Sequence, residues 1–362
     1  MASASDSDKP SGSKEEESRS RLCEEFAAIT GTDSNAAQSY LFINGWEKQK
    51  ALNSFFEADM EGIFEDFDLP QRDSCPETKK KNWEEEKPAE PSVDLTKDSP
   101  ASSGKPSEED DCKLSVISWN VDGLDTDNLG ERARGLFSFL VLYTPDVVLL
   151  QELIPPYVHY LKKRAVSYLL IEGGEEGYFT GIMLKRSRVK LVESQIVTYP
   201  TTRMMRNLLV AQVDFNGQKL WLMTSHFESC KAHSAERMKQ LRVVKQRMKG
   251  APYDVTVLFG GDTNLRDYEL TKVGLPASVC DVWERLGKQE HCRWTWDTKA
   301  NNNNNAPYVS RCRFDRVFFR PAIKDGVPRL APDHMALVGL EKLDCGRFIS
   351  DHWGIYCSFS AG

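Results

Sequence analysis

"VTVLFGGDTN", residues 255–264, decides how this chain is read. Five apolar or β-branched residues run into two glycines, and the polar side chains of Asp262 and Asn264 follow. An apolar run of this kind is a buried strand. Gly260 and Gly261 read as a turn, and the carboxylate and amide beyond them stand at the rim of a sheet.

The same arrangement recurs along the chain. "SVISWN" (115–120) ends on Asn120, with Asp122 two positions further on. "VVLLQE" (147–152) ends on Glu152 and "WLMTSH" (221–226) on His226, while "CGRFISDHWGIYC" (345–357) sets Asp351 and His352 just before a final apolar run. Taken singly, each is a turn residue, a solvated carboxylate or a satisfied histidine. Gathered at one rim, they would be costly to bury unless a cation and an anionic substrate shared the place.

Outward from these ends, "YFTGIMLKR" (178–186) and "RFDRVFFR" (313–320) add strands. "LGERARGLFSFLVLY" (129–143) is an amphipathic helix. "SAERMKQLRVVKQRMKG" (234–250) is a long basic helix, with Ser234 placed as N-cap and Gly250 as its stop. "NNNNN" (301–305) reads as a polar loop with no means of packing. Many strands and few helices in one block over 113–362 predict an α/β protein, a four-layer sandwich of two packed mixed β-sheets flanked by helices.

Charge divides the chain. Residues 1–112 hold 13 basic and 27 acidic groups, whereas residues 113–362 hold 34 and 27, so a basic block follows an acidic front end. That balance suits a polyanionic partner such as nucleic acid. Nine scattered cysteines without a CxxC pair point to a reducing interior, and no stretch is apolar enough to span a membrane. The expectation is a soluble intracellular monomer.

Residues 1–19 are Ser-, Asp- and Glu-rich and read as a disordered tail. From 20 to 60, "RLCEEFAAITG", "DSNAAQSYLFINGW" and "EKQKALNSFFEAD" give three short helical periods, with Asp33 placed to cap the second. Leu22, Phe26, Tyr40, Leu41, Leu52 and Phe55 would form their core. This unit resembles a ubiquitin-associated three-helix domain, which implies ubiquitin as its ligand; a helical unit without a ligand is the alternative. Residues 61–112 read as a disordered acidic linker. In it, "SVDLTKD" (92–98) is a minimal likeness to a SUMO-binding segment, and "TKKKNW" (78–83) to a weak nuclear-import signal; chance and solvation are the competing readings.

"WNVDG" (119–123), "LQE" (150–152), "TSHFES" (224–229), "GDTN" (261–264) and "SDHWG" (350–354), in this order, resemble the exonuclease/endonuclease/phosphatase superfamily of Mg2+-dependent phosphodiesterases. "EGYFT", "MMRNL", "TNLRD", "TWDT" and "LDCGRF" are similar to the branch of that family that acts on topoisomerase-linked DNA. The resemblance implies hydrolysis of the bond between a topoisomerase II tyrosine and a DNA 5′-phosphate, with Mg2+, or Mn2+ in its place, and residence in the nucleus and in part the cytoplasm. An abasic endonuclease, a 3′ exonuclease, an RNA–tyrosyl hydrolase and a ubiquitin-binding adaptor with an inactive fold are the alternatives.

Within that reading, Glu152 is the first metal ligand, Asp122 joins it directly or through water, and Asn120 orients the edge. Asp262 aligns or deprotonates the attacking water, and Asn264 donates to the phosphate. His352 stabilises charge on the phosphate oxygens, Asp351 fixes its tautomer, and His226 is a second donor. A tyrosine phenolate, with a parent pKa of about 10, leaves with little need of a general acid. Arg206 and Arg266 would meet backbone phosphates; Tyr178, Trp296 and Phe314 would stack on a single-stranded 5′ end, with Ser229 beside the DNA.

Overall fold

The structure is a computed structural model, and it describes residues 12–30, 34–43, 46, 48, 113–304, 306–327 and 329–361. Two six-stranded sheets carry the larger part. The first, in the order β13-β14-β1-β2-β4-β3, is built from β1 (Leu114–Asn120), β2 (Val147–Leu153), β3 (Tyr168–Glu172), β4 (Phe179–Lys185), β13 (Leu330–Val338) and β14 (Gly354–Ala361). The second runs β5-β6-β7-β8-β12-β9, from β5 (Val189–Thr198), β6 (Asn207–Phe215), β7 (Gln218–Ser225), β8 (Thr256–Asp262), β9 (Cys280–Asp281) and β12 (Asp315–Arg320). A short pair, β10 (Trp296–Asp297) and β11 (Arg311–Cys312), stands apart from both.

The inner faces of the sheets meet through Val116, Leu149, Ile182, Leu209, Leu222, Leu258, Val317 and Ile355, all buried. Helices α3 (Leu129–Tyr143) and α4 (Pro155–Arg164) cover the outside of the first sheet through Leu136, Leu140, Tyr157 and Leu161. Helices α5 (Ser234–Gly250) and α6 (Asp267–Val273) cover the second through Leu241, Val244, Met248 and Leu270. This is the four-layer sandwich that the sequence predicts. Strands β2 and β8 are buried on both faces, which is why they read as unbroken apolar runs.

Strand direction gathers the site. β1 lies parallel to β2, and β7 parallel to β8, so the C-terminal ends of all four reach one rim. β12 and β14 run antiparallel to their neighbours, so their first residues reach that same rim. Gly260 and Gly261 prove to be strand, not turn. A Cβ on Gly261 would stand 2.2 Å from the Ser225 carbonyl oxygen, so the glycine permits the close approach of β7 and β8 that sets His226 beside Asp262.

Two expectations at the N-terminal end change. Helix α1 spans Gly12–Thr30, so residues 12–19 are helix rather than disordered tail; the Glu-rich run there is a good helix former. Helix α2 covers Ser34–Ile43, and Phe26, Ala37 and Leu41 are buried with Leu22 and Trp46 packed against them. Asp33, Leu52, Phe55 and most of the third helical period, like the segments 78–83 and 92–98, lie outside the described residues. Ser234 begins α5 as a helical residue, and the N-cap position is His233.

Candidate active site at the sheet rim

Asn120 is the hinge of the site. Its side-chain amide donates to Glu152 Oε1 and to Asp262 Oδ2, each at 3.0 Å, and so ties the first sheet to the second. Its Oδ1 accepts from the Asp122 backbone N–H at 2.9 Å, which fixes the amide's orientation. Its backbone carbonyl accepts from Ser350 Oγ, which in turn accepts from the His352 N–H. One buried side chain therefore fixes three of the predicted residues together.

Asp262 is fully embedded. Oδ2 accepts from Asn120, Oδ1 accepts from the Asn264 N–H at 3.0 Å, and His226 Nε2 lies 3.2 Å from Oδ2. Burial pushes its carboxyl up to about 6, partly offset by the positive His352. Arg206 Nη1 faces His226 Nδ1 at 2.8 Å. Because a guanidinium only donates, Nδ1 accepts and the proton sits on Nε2, toward Asp262. Burial and the Arg206 charge hold this imidazole well below its usual range, so His226 is neutral.

His352 is the opposite case. Burial alone would lower it, but Asp315, Asp262 and Asp351 together raise it well above its ordinary value. Its Nδ1 donates to Asp315 Oδ2 at 2.8 Å, while Nε2 lies 3.7 Å from Asp262 Oδ2 and 3.9 Å from Asp351 Oδ1. The partner that fixes the imidazole is therefore Asp315, not Asp351 as expected. Asp351 instead accepts from Trp296 Nε1 at 3.0 Å. The pattern of strands that end on polar residues gives no sign of Asp315. It opens β12, and pairing with Asp262 across the sheet brings that opening to the rim.

Asp122, Glu152 and Asp351 form an acidic edge. Burial, and after it the Asp351 charge, lifts Glu152 to about 7 and Asp122 to about 8. Asp122 and Glu152 both take left-handed backbone (φ 50° and 58°). The Gly123 N–H donates to the Glu152 carbonyl at 3.1 Å, and a Cβ there would stand 2.2 Å from that oxygen. Crowded carboxylates with hard oxygen donors fit a divalent cation. Two other groups, rather than these three acids, bring possible ligands within 4.8 Å of one another: Glu152, His226 and Asp262, and Asp262, Asp315 and His352. Each includes an imidazole, His226 engaged on both ring nitrogens and His352 held protonated beside Asp315, so the all-oxygen acidic edge suits a hard cation better.

The expected nucleic-acid contacts divide. Trp296 is half-buried at the rim, bridged to His352. Phe314 is buried, with Trp296 at 5.6 Å on one side and the Arg266 guanidinium at 5.0 Å, so it supports these two rather than offering a free stacking face. Arg266 donates to the Asn264 carbonyl at 2.7 Å and is only partly exposed. Arg206 is buried, with its donors on His226 and Ser229 Oγ and its plane 4.8 Å from the Tyr178 ring. It lines the inner wall instead of standing free on the surface. Asn264 donates to the Phe227 carbonyl over 3.4 Å, a bond weak enough to yield to a ligand.

The asparagine loop also departs from expectation. Asn301 Nδ2 donates to the Ser350 carbonyl at 2.8 Å. Asn303 both donates to the Phe348 carbonyl and accepts from the Phe348 N–H, at 2.9 Å each. Asparagine amides here replace a strand partner for the segment that leads to Asp351 and His352.

Sequence comparison agrees with this geometry. Residues 117–352 match the model of the "Endonuclease/Exonuclease/phosphatase family", and residues 20–62 that of a "UBA-like domain". The chain is similar to tyrosyl-DNA phosphodiesterase 2 of Danio rerio, at 60% identity over 95% of this chain and 98% of that protein. The Homo sapiens protein of that name is 49% identical over 96% and 94%. Among solved structures, the D. rerio enzyme complexed with single-strand DNA product matches at TM-score 0.67 and 71% identity, covering 69% of this chain and 99% of that one. The chain belongs to the endonuclease/exonuclease/phosphatase family, and within it to the tyrosyl-DNA phosphodiesterase 2 group.

Proposed function

We propose that this chain hydrolyses the phosphodiester between a topoisomerase II tyrosine and a DNA 5′ end, leaving a 5′-phosphate that can be ligated. The observation that carries the reading is the pair of oppositely tuned histidines around Asp262, on a chain 60% identical to a named tyrosyl-DNA phosphodiesterase. Glu152 and Asp122, with Asp351 beside them, would hold Mg2+, or Mn2+ in its place. When bound, the metal neutralises this edge and withdraws electrons from a phosphate oxygen.

The chain's own groups do the rest. Asp262, held by Asn120, Asn264 and neutral His226, orients the attacking water and takes its proton; a carboxyl near 6 is a better base than a solvated aspartate and is still ionised at neutral pH. His352 is kept protonated by Asp315, so its Nε2 donates to the phosphate oxygen on which charge grows. Asn264 adds a second donor. The phenolate departs unprotonated, so it needs no general acid. Trp296 faces the bases of a single-stranded 5′ end. Residues 20–62 would recruit the enzyme to ubiquitin-marked sites, and the product that is repaired implies work in the nucleus.

The test uses the full chain with Mg2+ on three oligonucleotides of one sequence, bearing a 5′-phosphotyrosine, an internal abasic site or a recessed 3′ end. Release of tyrosine from the first alone supports the proposal. Cutting of the second or third with the tyrosyl bond intact would move the chain to another substrate of the same family.

A further inference from the structure

We infer that Arg132 is a positioning residue for the acidic edge, setting the spacing of Asp122, Glu152 and Asp351 without touching substrate. The inference rests on the cation site proposed above. Arg132 lies in the first turn of α3 and is completely buried. A cation there opposes the helix dipole, and burial removes its hydration, so neither the helix nor the core favours it.

Its guanidinium is satisfied by backbone carbonyls. Nη2 donates to Asp122 at 2.7 Å and Val121 at 3.0 Å, Nη1 to Asp125 at 2.7 Å, and Nε to Ile349 at 2.8 Å. Three acceptors lie on the segment that carries Asp122. The fourth lies two residues before Asp351. Nη2 is also 3.6 Å from Asp122 Oδ2, and it helps to hold Asp122 in its left-handed conformation. From there the Gly123 N–H reaches the Glu152 carbonyl, so all three acids share one frame.

Arg347 ties the same frame from the surface. It pairs with the Asp125 carboxylate, lies 3.3 Å from Asp127 Oδ2, and donates to the Asn303 carbonyl at 3.1 Å. The two arginines thus join the Asp122 segment, the asparagine loop and the approach to Asp351. Only a planar fork reaches four carbonyls on two segments; a lysine ammonium presents three donors at one point.

The experiment uses full-length Arg132→Lys, Arg132→Met and the more exposed Arg347→Met. Each is titrated with Mg2+ by the rise in melting temperature, without substrate, and by cleavage of a 5′-phosphotyrosyl oligonucleotide. The Mg2+ concentration for half-effect rises about ten- to a hundredfold in both readouts, as for other groups that orient metal ligands. Saturating Mg2+ recovers most of kcat, and the alkaline limb set by His352 stays in place. A folded variant with an unchanged Mg2+ midpoint overturns the inference, as does an unsubstituted chain whose melting temperature ignores Mg2+. If Arg132→Met does not fold, Arg132→Lys and Arg347→Met decide in the same way. Should the unsubstituted chain respond to Mg2+ yet cut no tyrosyl bond, the function proposed above fails while the thermal titration still tests Arg132.

Discussion

Asp315→Asn isolates what the sequence did not reveal. The amide is nearly the size of the carboxylate and its oxygen can still accept from His352 Nδ1, so tautomer and fold are kept while the charge is lost. A hydrogen bond between charged partners contributes about 1.5–3 kcal/mol, which converts to a fall in kcat between about tenfold and about 150-fold. The pH profile gives the sharper reading. His352 acts protonated, and its folded-state value is raised, so activity falls as pH rises through that value. Removing the Asp315 charge lowers it and draws the alkaline limb toward neutrality. The stabilisation from the pair has the same sign: it is complete below the unfolded value and is lost as pH rises through the folded one. Asp351→Asn, at 3.9 Å from Nε2, moves the limb less and acts mainly by releasing Trp296. Steady-state rates on a 5′-phosphotyrosyl oligonucleotide across pH provide the assay. An alkaline limb that shifts in Asp351→Asn and stays put in Asp315→Asn would refute the assignment.

Further outcomes follow from the same geometry. Glu152 is raised from 4.5 to about 7, so the metal-free protein loses stability as pH rises between those values, by about 3 kcal/mol from this group; Mg2+ cancels the loss, and melting curves with and without EDTA read both effects. Gly261→Ala forces a Cβ into the Ser225 backbone, so it parts β7 from β8 and abolishes activity; wild-type turnover from a folded variant would contradict the close approach. Asn303→Ala breaks both bonds to Phe348, so it weakens the rim by about 1–3 kcal/mol and raises KM for single-stranded DNA, measured by thermal melts and kinetics. Trp119→Ala removes a buried indole whose Nε1 donates to the His352 carbonyl; it costs about 3–5 kcal/mol in chemical denaturation.

How far the sequence could be read depended on what each strand does. β1, β2 and β8, and β7 over its second half, announce themselves as apolar runs because both faces are covered, and their polar ends point to Asn120, Glu152, His226 and Asp262. β5 is half-exposed at a sheet edge, so "VKLVESQIVT" offers no comparable run. Asp315 opens its strand, and only the antiparallel register with β8 gives it meaning. Composition misled at Asn301 and Asn303, since asparagine looks solvent-loving until its amide finds a backbone partner. Phe314 and Arg206 carry the right chemistry, but neighbouring side chains, which a linear reading cannot supply, cover the Phe314 ring and engage both terminal nitrogens of Arg206.

The central claim is that water, oriented at Asp262, attacks the 5′-phosphorus and expels the tyrosine. One reaction tests it: the full-length chain, Mg2+ and a single-stranded 5′-phosphotyrosyl oligonucleotide in water enriched in oxygen-18, analysed by mass spectrometry. The account predicts free tyrosine of ordinary mass and a 5′-phosphate carrying one heavy oxygen, with both products lost in Asp262→Asn. Heavy oxygen in the tyrosine, or undiminished release from Asp262→Asn, would contradict it.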